Sequence, residues 1–404
     1  MDNTSTELSN RAQQRTRIDF LDILRGISIC FICFANIQIF AGYLFYTDEY
    51  KATFEAASFN NILENIELIF IHGKFYTLFS LLFGVGMSIQ FIRFKDDISA
   101  YKRYMYKRLA VLLLIGLIHI WLIWLGDIIT LYAVLGFLVL LLFHCSSRTL
   151  VIIGVISILL PILHAILMGI IGFYPGVLFS IFMQKLAELG VPPGDLFEQA
   201  LYLIMTNNLE LHFTAKLYDP LVRMALIAAE GRIFKVFGII CLGVVAGRHI
   251  IKHDLLSNKP FLLKTALLGF VVGIPANIAM AILIDASEPS LQLLRIVAYA
   301  FGVVPLALAY AATLALVYKR AIAFFSIFAP LGRMALSNYL SQSVIAIILF
   351  NGFAGALGGK LGLSSIWMIG FCIVAIQIIL SYFYLLKFKQ GPIEYLWRRL
   401  IPKT

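Results

Sequence analysis

The chain has 404 residues, 61% of them hydrophobic and only 13% charged, with a mean hydropathy of +0.92. No water-soluble domain of this size has that composition, and apolar runs this long and continuous exclude a β-barrel, which leaves an all-α polytopic membrane protein. The net charge of +10 is what basic cytoplasmic loops bring and gives no sign of a nucleic-acid partner.

Residues 1–17 are polar and basic and read as a cytoplasmic tail. The apolar run that follows is too long for a signal peptide and has no small-residue cleavage site. The first span, 26–46, is entered through Asp19-Phe-Leu-Asp22-Ile-Leu-Arg25-Gly26. At ~100° per residue, Asp22, Arg25, Ile29, Cys33 and Asn36 share one stripe, which runs about 16 Å inward from Arg25. Ionisable groups at that depth face a cavity or a partner. Cys30 and Cys33 are i, i+3 on the same helix, with no second pair to complete a metal site, and read as buried apolar thiols.

Residues 52–72 hold Glu55, Glu64, Glu67 and His72 among apolar residues and read as an outer amphipathic segment. His72-Gly73-Lys74 opens the second span, 74–92, where the Lys74 ammonium either snorkels to the outer interface or serves a ligand. The stretch Arg93–Arg108 carries six basic residues and is assigned to the cytoplasm. His119 lies deep in the third span, 109–126; it is either a hydrogen-bonded core histidine or a proton-transfer group. Gly126-Asp127 links tightly to the fourth span, 128–144, with Asp127 either an N-cap or a carboxylate for acid–base work.

A fifth span covers 150–172, and 173–232 form a long outer excursion broken at Pro192-Pro193-Gly194. Glu230 and Arg232 are i, i+2, a spacing that does not pair them on a helix. Spans follow at 233–250, 263–284 and 296–318, then an interfacial helix over 321–333 ending at Pro330. Arg333 is either a phosphate fork or a positive-inside anchor. Asn338 and Gln342 share one face of the ninth span, 335–352, as an interhelical hydrogen-bonding pair. The tenth span is 365–386, and 387–404 form a cytoplasmic interfacial tail with Trp397 as aromatic anchor. The whole chain, 1–404, reads as a single integral membrane domain with both termini in the cytoplasm.

Several segments together resemble a bacterial family of membrane proteins of unknown function, the YeiB-like proteins. They are Leu21-Asp-Ile-Leu-Arg-Gly26 with Asn36, Gly73-Lys-Phe-Tyr-Thr-Leu-Phe-Ser-Leu-Leu-Phe-Gly84-Val-Gly86, and Gly116-Leu-Ile-His119 with Gly126-Asp-Ile-Ile-Thr-Leu-Tyr132. Gly332-Arg-Met-Ala-Leu-Ser-Asn-Tyr339 and Gly391-Pro-Ile-Glu-Tyr-Leu-Trp-Arg398 complete the set. That family looks like a distant branch of the transmembrane acyltransferases, which include the acyltransferase-3 and heparan-glucosaminide acetyltransferase types. The shared feature is the Asp22-x-x-Arg25-Gly26 start. Where acyltransferase-3 proteins place a histidine after ten further residues, this chain has Asn36.

The resemblance implies a multi-pass protein of the bacterial inner membrane, surrounded by lipid, that moves an acyl group from cytoplasmic acyl-CoA to an envelope or lipid-linked acceptor without a metal. It implies donor binding by Asp22, Arg25, Asn36, Lys74 and Arg333, with phosphates near the basic stretch Lys102–Arg108. It implies His119 or His72 as base, oriented by Asp127. A transporter or flippase is the competing expectation, a non-catalytic member of the fold a third, and a homodimer is left open.

Overall fold

A computed structural model describes residues 2–94, 97–171 and 176–401. The described residues are helical and contain no strand. Helix α1 (Asp2–Phe40) crosses the membrane over Asp19–Phe40. It ends earlier than the apolar run suggests, because Gly42 adopts a left-handed turn (φ 81°). Two short helices, α2 (Asp48–Ala52) and α3 (Ala57–Ile66), and a single π-turn (Glu67–Ile71) lie across the end of the bundle and lead into α4 (Lys74–Phe91). Helices α5 (Ile98–Leu122) and α6 (Ile129–Leu141) form a tight hairpin, and α7 (Ser147–Ile171) follows. The basic stretch Lys102–Arg108 belongs to the first turns of α5 and is not a loop.

The excursion contains four short helices, α8 (Gly176–Glu188), α9 (Leu196–Met205), α10 (Leu209–Lys216) and α11 (Asp219–Ala229), with the expected break at Pro192–Gly194. Helices α12 (Arg232–His253), α13 (Lys259–Ile282) and α14 (Pro289–Val317) return through the bundle. The segment before the ninth span is broken into α15 (Ile322–Phe325) and α16 (Ala329–Arg333), then α17 (Ala335–Phe350). Pro330 therefore opens a helix here rather than ending one, in the first-turn position where its missing N–H costs nothing. Helix α18 (Leu363–Lys387) and the surface helix α19 (Pro392–Arg399) complete the chain.

All ten expected spans correspond to helices. Among the described residues, eight helices are long and apolar enough to cross a membrane alone, and the pair Ile322–Arg333 and Ala335–Phe350, bent by 77°, makes a ninth. The tenth, α6, has 13 residues and spans only about 20 Å. Helices α1 and α12 are 61% buried over their apolar windows, against 28% for α7 and α13, so the former are central and the latter face lipid.

The two ends of the bundle differ in charge. Arg25, Arg108, Arg248, Arg333 and Arg398 gather at one, the basic end. There the surface helix α19 docks on α5: the Trp397 indole donates to the Arg108 carbonyl (3.0 Å), and the Arg108 guanidinium lies 3.9 Å over the Trp397 ring. Glu394 accepts from the Leu336 and Ser337 amides (2.8 and 3.1 Å) and so caps α17 from the far side of the sequence. At the far end, the loop after α17 is tied to α9 by Gly352 N to Ile204 O (2.8 Å) and to the end of α1 by Gly359 N to Ala41 O (2.9 Å). The expected pairing face of α17 is present: Gln342 donates to Gln377 (2.9 Å) and Asn338 to Ser381 (3.0 Å), both on α18.

Candidate functional site

The α5–α6 hairpin closes within a few residues at the far end. The His119 carbonyl accepts from both Ile123 and Trp124 amides (2.9 and 2.8 Å), which ends α5. One turn earlier stands Gly116. A Cβ there would lie 2.5 Å from the Thr130 backbone nitrogen, so the absence of a side chain lets α6 start against α5. Asp127 then caps α6, accepting from Thr130 N at Oδ2 (2.7 Å) and Ile129 N at Oδ1 (3.2 Å). The same Oδ1 lies 2.9 Å from His119 Nδ1, so the structural and the chemical readings of Asp127 hold together.

On its other side, His119 Nε2 lies 3.1 Å from the hydroxyl of Ser343 on α17. A carboxylate only accepts, so Nδ1 carries the proton; Nε2 is then the basic nitrogen, and Ser343 donates to it. Exposures are 0% for His119 and 2% for Asp127 and Ser343, so the chain of three is shielded from bulk solvent. A carboxylate that holds an imidazole in one tautomer, with a hydroxyl on the opposite nitrogen, is the arrangement that turns a hydroxyl into a nucleophile.

Ser343 lines a small cavity of about 10 Å³ together with Cys33, Asn36, Tyr339 and Gln342. Asn36 and Tyr339 also line a second void of about 80 Å³, whose other walls include Tyr76, Gly126, Arg223 and Arg232. Two helices of the excursion grip the hairpin from outside. Lys216 of α10 donates to the Ile123 carbonyl (2.7 Å), and Arg223 of α11 donates to the Asp127 carbonyl (2.6 Å). Burial, helped by the like charge of Arg232, pushes the Arg223 guanidinium down to about 10.

The expected donor-binding residues divide. Asp22 and Arg25 pair at 2.8 Å, and exposed Arg333 adds its field to Asp22. The lower half of the stripe, however, packs against protein instead of lining a cavity. Gly26 meets Phe328 and Gly332 of the neighbouring segment at backbone contact, and Ile29 is buried. Only Cys33 and Asn36 reach a void. His72 is half-exposed and pairs with Glu67 (3.5 Å), not with the His119 chain. Lys74 is fully buried and donates to the Leu68 carbonyl (2.8 Å). It does not snorkel, because left-handed Gly73 (φ 81°) turns the chain so that the ammonium folds back on the π-turn.

Glu230 and Arg232 do pair, at 2.6 Å, contrary to the expectation from their spacing. Gly231 between them is left-handed (φ 58°), so the two residues flank a turn and not a helix face. Ser343, Arg223 and Lys235 carry no local motif; Ser343 stands one residue beyond the Asn338–Gln342 face, and its partner lies 224 residues away.

His212 is a second buried histidine, between α10 and the loop after α17. Its Nδ1 donates to the Leu203 carbonyl (3.2 Å), and Nε2 accepts from the Asn351 amide (3.0 Å). Burial, with the nearby Lys216 charge, lowers it to about 4. A histidine depressed in the folded state binds fewer protons than in the open state between about 6.5 and 4, so its contribution is whole above 6.5 and is lost as the pH falls through that window. The loss is on the order of 3 kcal/mol at full protonation. Hydrogen exchange in α10 is therefore expected to accelerate from pH 6.5 to pH 4, beyond the intrinsic pH dependence, and His212→Gln is expected to remove most of that acceleration. An unchanged profile in the variant would refute the assignment.

Residues 246–403, from the end of α12 through α19, match the profile of a family described as "Protein of unknown function (DUF418)". The chain is 29% identical over 406 residues to the uncharacterized protein YxaH of Bacillus subtilis (strain 168), covering 95% of this chain and 93% of that one. It is 28% identical over 401 residues to the uncharacterized protein YeiB of Escherichia coli (strain K12), covering 94% and 95%. An uncharacterized 39.9 kDa protein from the amylase 3′ region of Bacillus acidopullulyticus is 27% identical over 388 residues, covering 95% and 93%. The matched family segment contains Ser343, Arg333 and Glu394, while His119, Asp127 and Arg25 precede it.

Proposed function

We propose that this chain, a YeiB-like membrane protein with a DUF418 segment, is an acyltransferase of the bacterial cytoplasmic membrane. The observation that carries the reading is the Asp127–His119–Ser343 chain, which ends on a cavity wall. By the positive-inside rule the basic end faces the cytoplasm. A polyanionic acyl-CoA headgroup there would meet Arg25, Arg108, Arg333 and Arg398, with Asp22 as the carboxylate paired among them.

In the proposed step, Ser343 Oγ bonds to the acyl carbon, the carbon–sulfur bond breaks, and the serine proton passes to His119 Nε2 and from there to the leaving thiolate. An acceptor hydroxyl then gives its proton to His119 and attacks the acyl-serine, and Ser343 regains its hydrogen. Asn36, on the wall between the two voids, supplies an amide donor to the carbonyl oxygen as it gains charge. Lys74 and His72, held by the π-turn, have no part in this step.

The arginine-lined void also suits a carrier of an anionic, lipid-like solute. One experiment separates the two. Purified protein in liposomes is given acyl-CoA labelled in the acyl group. Release of CoA with label retained on the protein and lost from Ser343→Ala supports the transferase. Anion flux with no consumption of acyl-CoA replaces it with the carrier.

A further inference from the structure

Beside the second void lies a group of cations that the proposed acyl step does not use. Arg223 and Arg232 line it, and Lys235 of α12 stands three residues, nearly one helical turn, beyond Arg232. Arg223 and Lys235 are 6% and 3% exposed. Among the described residues, Glu230 is the carboxylate ion-paired to one of them, held by Arg232, and the Asp127 carboxylate adds its field to Arg223. The two guanidiniums thus have two carboxylates near them, while the Lys235 ammonium has none paired to it, in a low-dielectric place where an uncompensated ion is costly.

Two of these groups also keep donor atoms for which the protein offers no acceptor. Arg223 spends one Nη on the Asp127 carbonyl, and its Nε has no acceptor. Lys235 Nζ has no hydrogen-bond acceptor at all; it lies 3.6 Å over the Tyr299 ring and 5.0 Å over the Tyr76 ring. The two tyrosine hydroxyls meet each other at 3.0 Å, which leaves one hydroxyl hydrogen to offer. The surroundings of the void are thus rich in donors and positive charge and poor in acceptors. Two planar guanidiniums, an ammonium and a hydroxyl exceed what a carboxylate can use and match a tetrahedral phosphoryl group with its three or four oxygens.

We infer that the void between α1, α4 and α11 binds a phosphate group, and that the acyl acceptor carries it. The second clause rests on the acyltransferase reading; the first does not. The Arg223–Asp127 contact joins the two sites: an anion on Arg223 pulls on the loop that holds the His119 partner, so binding of the acceptor and orientation of the base are coupled through one side chain.

The test uses full-length protein in nanodiscs of neutral lipid, with binding read by calorimetry and by melting temperature. Inorganic phosphate, dioctanoyl phosphatidic acid, octanoate and dioctanoylglycerol are the probes. Phosphate-bearing probes are expected to bind and to raise the melting temperature, and the other two are not. Binding of inorganic phosphate alone identifies a soluble source, and binding of the phosphatidic acid alone a lipid-held one. Arg232→Gln and Lys235→Met should each weaken binding at least tenfold. Lys235→Met, which removes a buried charge with little change of volume, should also leave the ligand-free protein as stable as the wild type or more so, which separates lost binding from lost fold. Equal affinity in both variants, or octanoate binding as well as phosphate, overturns the proposal. Phosphate binding that persists in a protein inactive toward acyl-CoA leaves the site standing and removes the acyltransferase reading instead.

Discussion

Ser343→Ala and His119→Ala are each expected to slow acyl transfer by about 10³-fold or more, measured as CoA release from liposomes. The two side chains act as one unit, so the double variant should be no slower than the worse single one. Asp127→Asn is the more telling change. Its oxygen can still cap α6, so the fold is kept, but an amide placed at 2.9 Å from His119 Nδ1 can donate there and drive the proton to Nε2. Nε2 then no longer accepts from Ser343, and a loss of similar size follows with the protein intact. Wild-type rates in Ser343→Ala and Asp127→Asn would sink the relay.

Gly332→Ala is expected to prevent assembly of the protein. A Cβ at this position would sit against the Asp22 carbonyl and 2.7 Å from Gly26 N, backbone atoms of α1 that have no side-chain freedom with which to give way. Parting α1 from α16 at this contact costs about 4 kcal/mol or more, a large fraction of the stability of any domain. The observable is loss of a monodisperse, cooperatively melting protein. Gly169→Ala, in α7 where a Cβ would meet nothing within 4 Å, is the matched control and should be neutral or gain up to about 1 kcal/mol. If both variants purify and melt alike, the α1–α16 contact is looser than described.

The ten helical spans could be read from composition because lipid demands long apolar runs whatever the tertiary arrangement. The His119–Asp127 pair was within reach of the sequence for a local reason: the two residues flank one tight hairpin, with Gly116 marking how closely its arms approach. Ser343 was not, since its role depends on how α17 is rotated against α5, and no spacing along the chain encodes that. The same holds for Arg223 and Lys235, which gain their significance from what they fail to pair with. The Arg25 stripe was half legible. Helical periodicity placed its residues on one face, but the face is shared between a packed seam at Gly26 and a void at Asn36, and periodicity does not distinguish the two. The Glu230–Arg232 pair escaped because a helix rule was applied across a residue, Gly231, that is not helical.

The 13-residue length of α6 has a consequence for the surrounding lipid. Val134, Leu138 and Leu141 are exposed on its outer side, so lipid tails rest against a helix about 10 Å shorter than the hydrocarbon layer. A bilayer meets such a mismatch by thinning locally, and headgroups of the far leaflet sink toward the hairpin that holds His119 and Asp127. Thinning of that kind beside the site would shorten the distance that any group must be carried between the two faces.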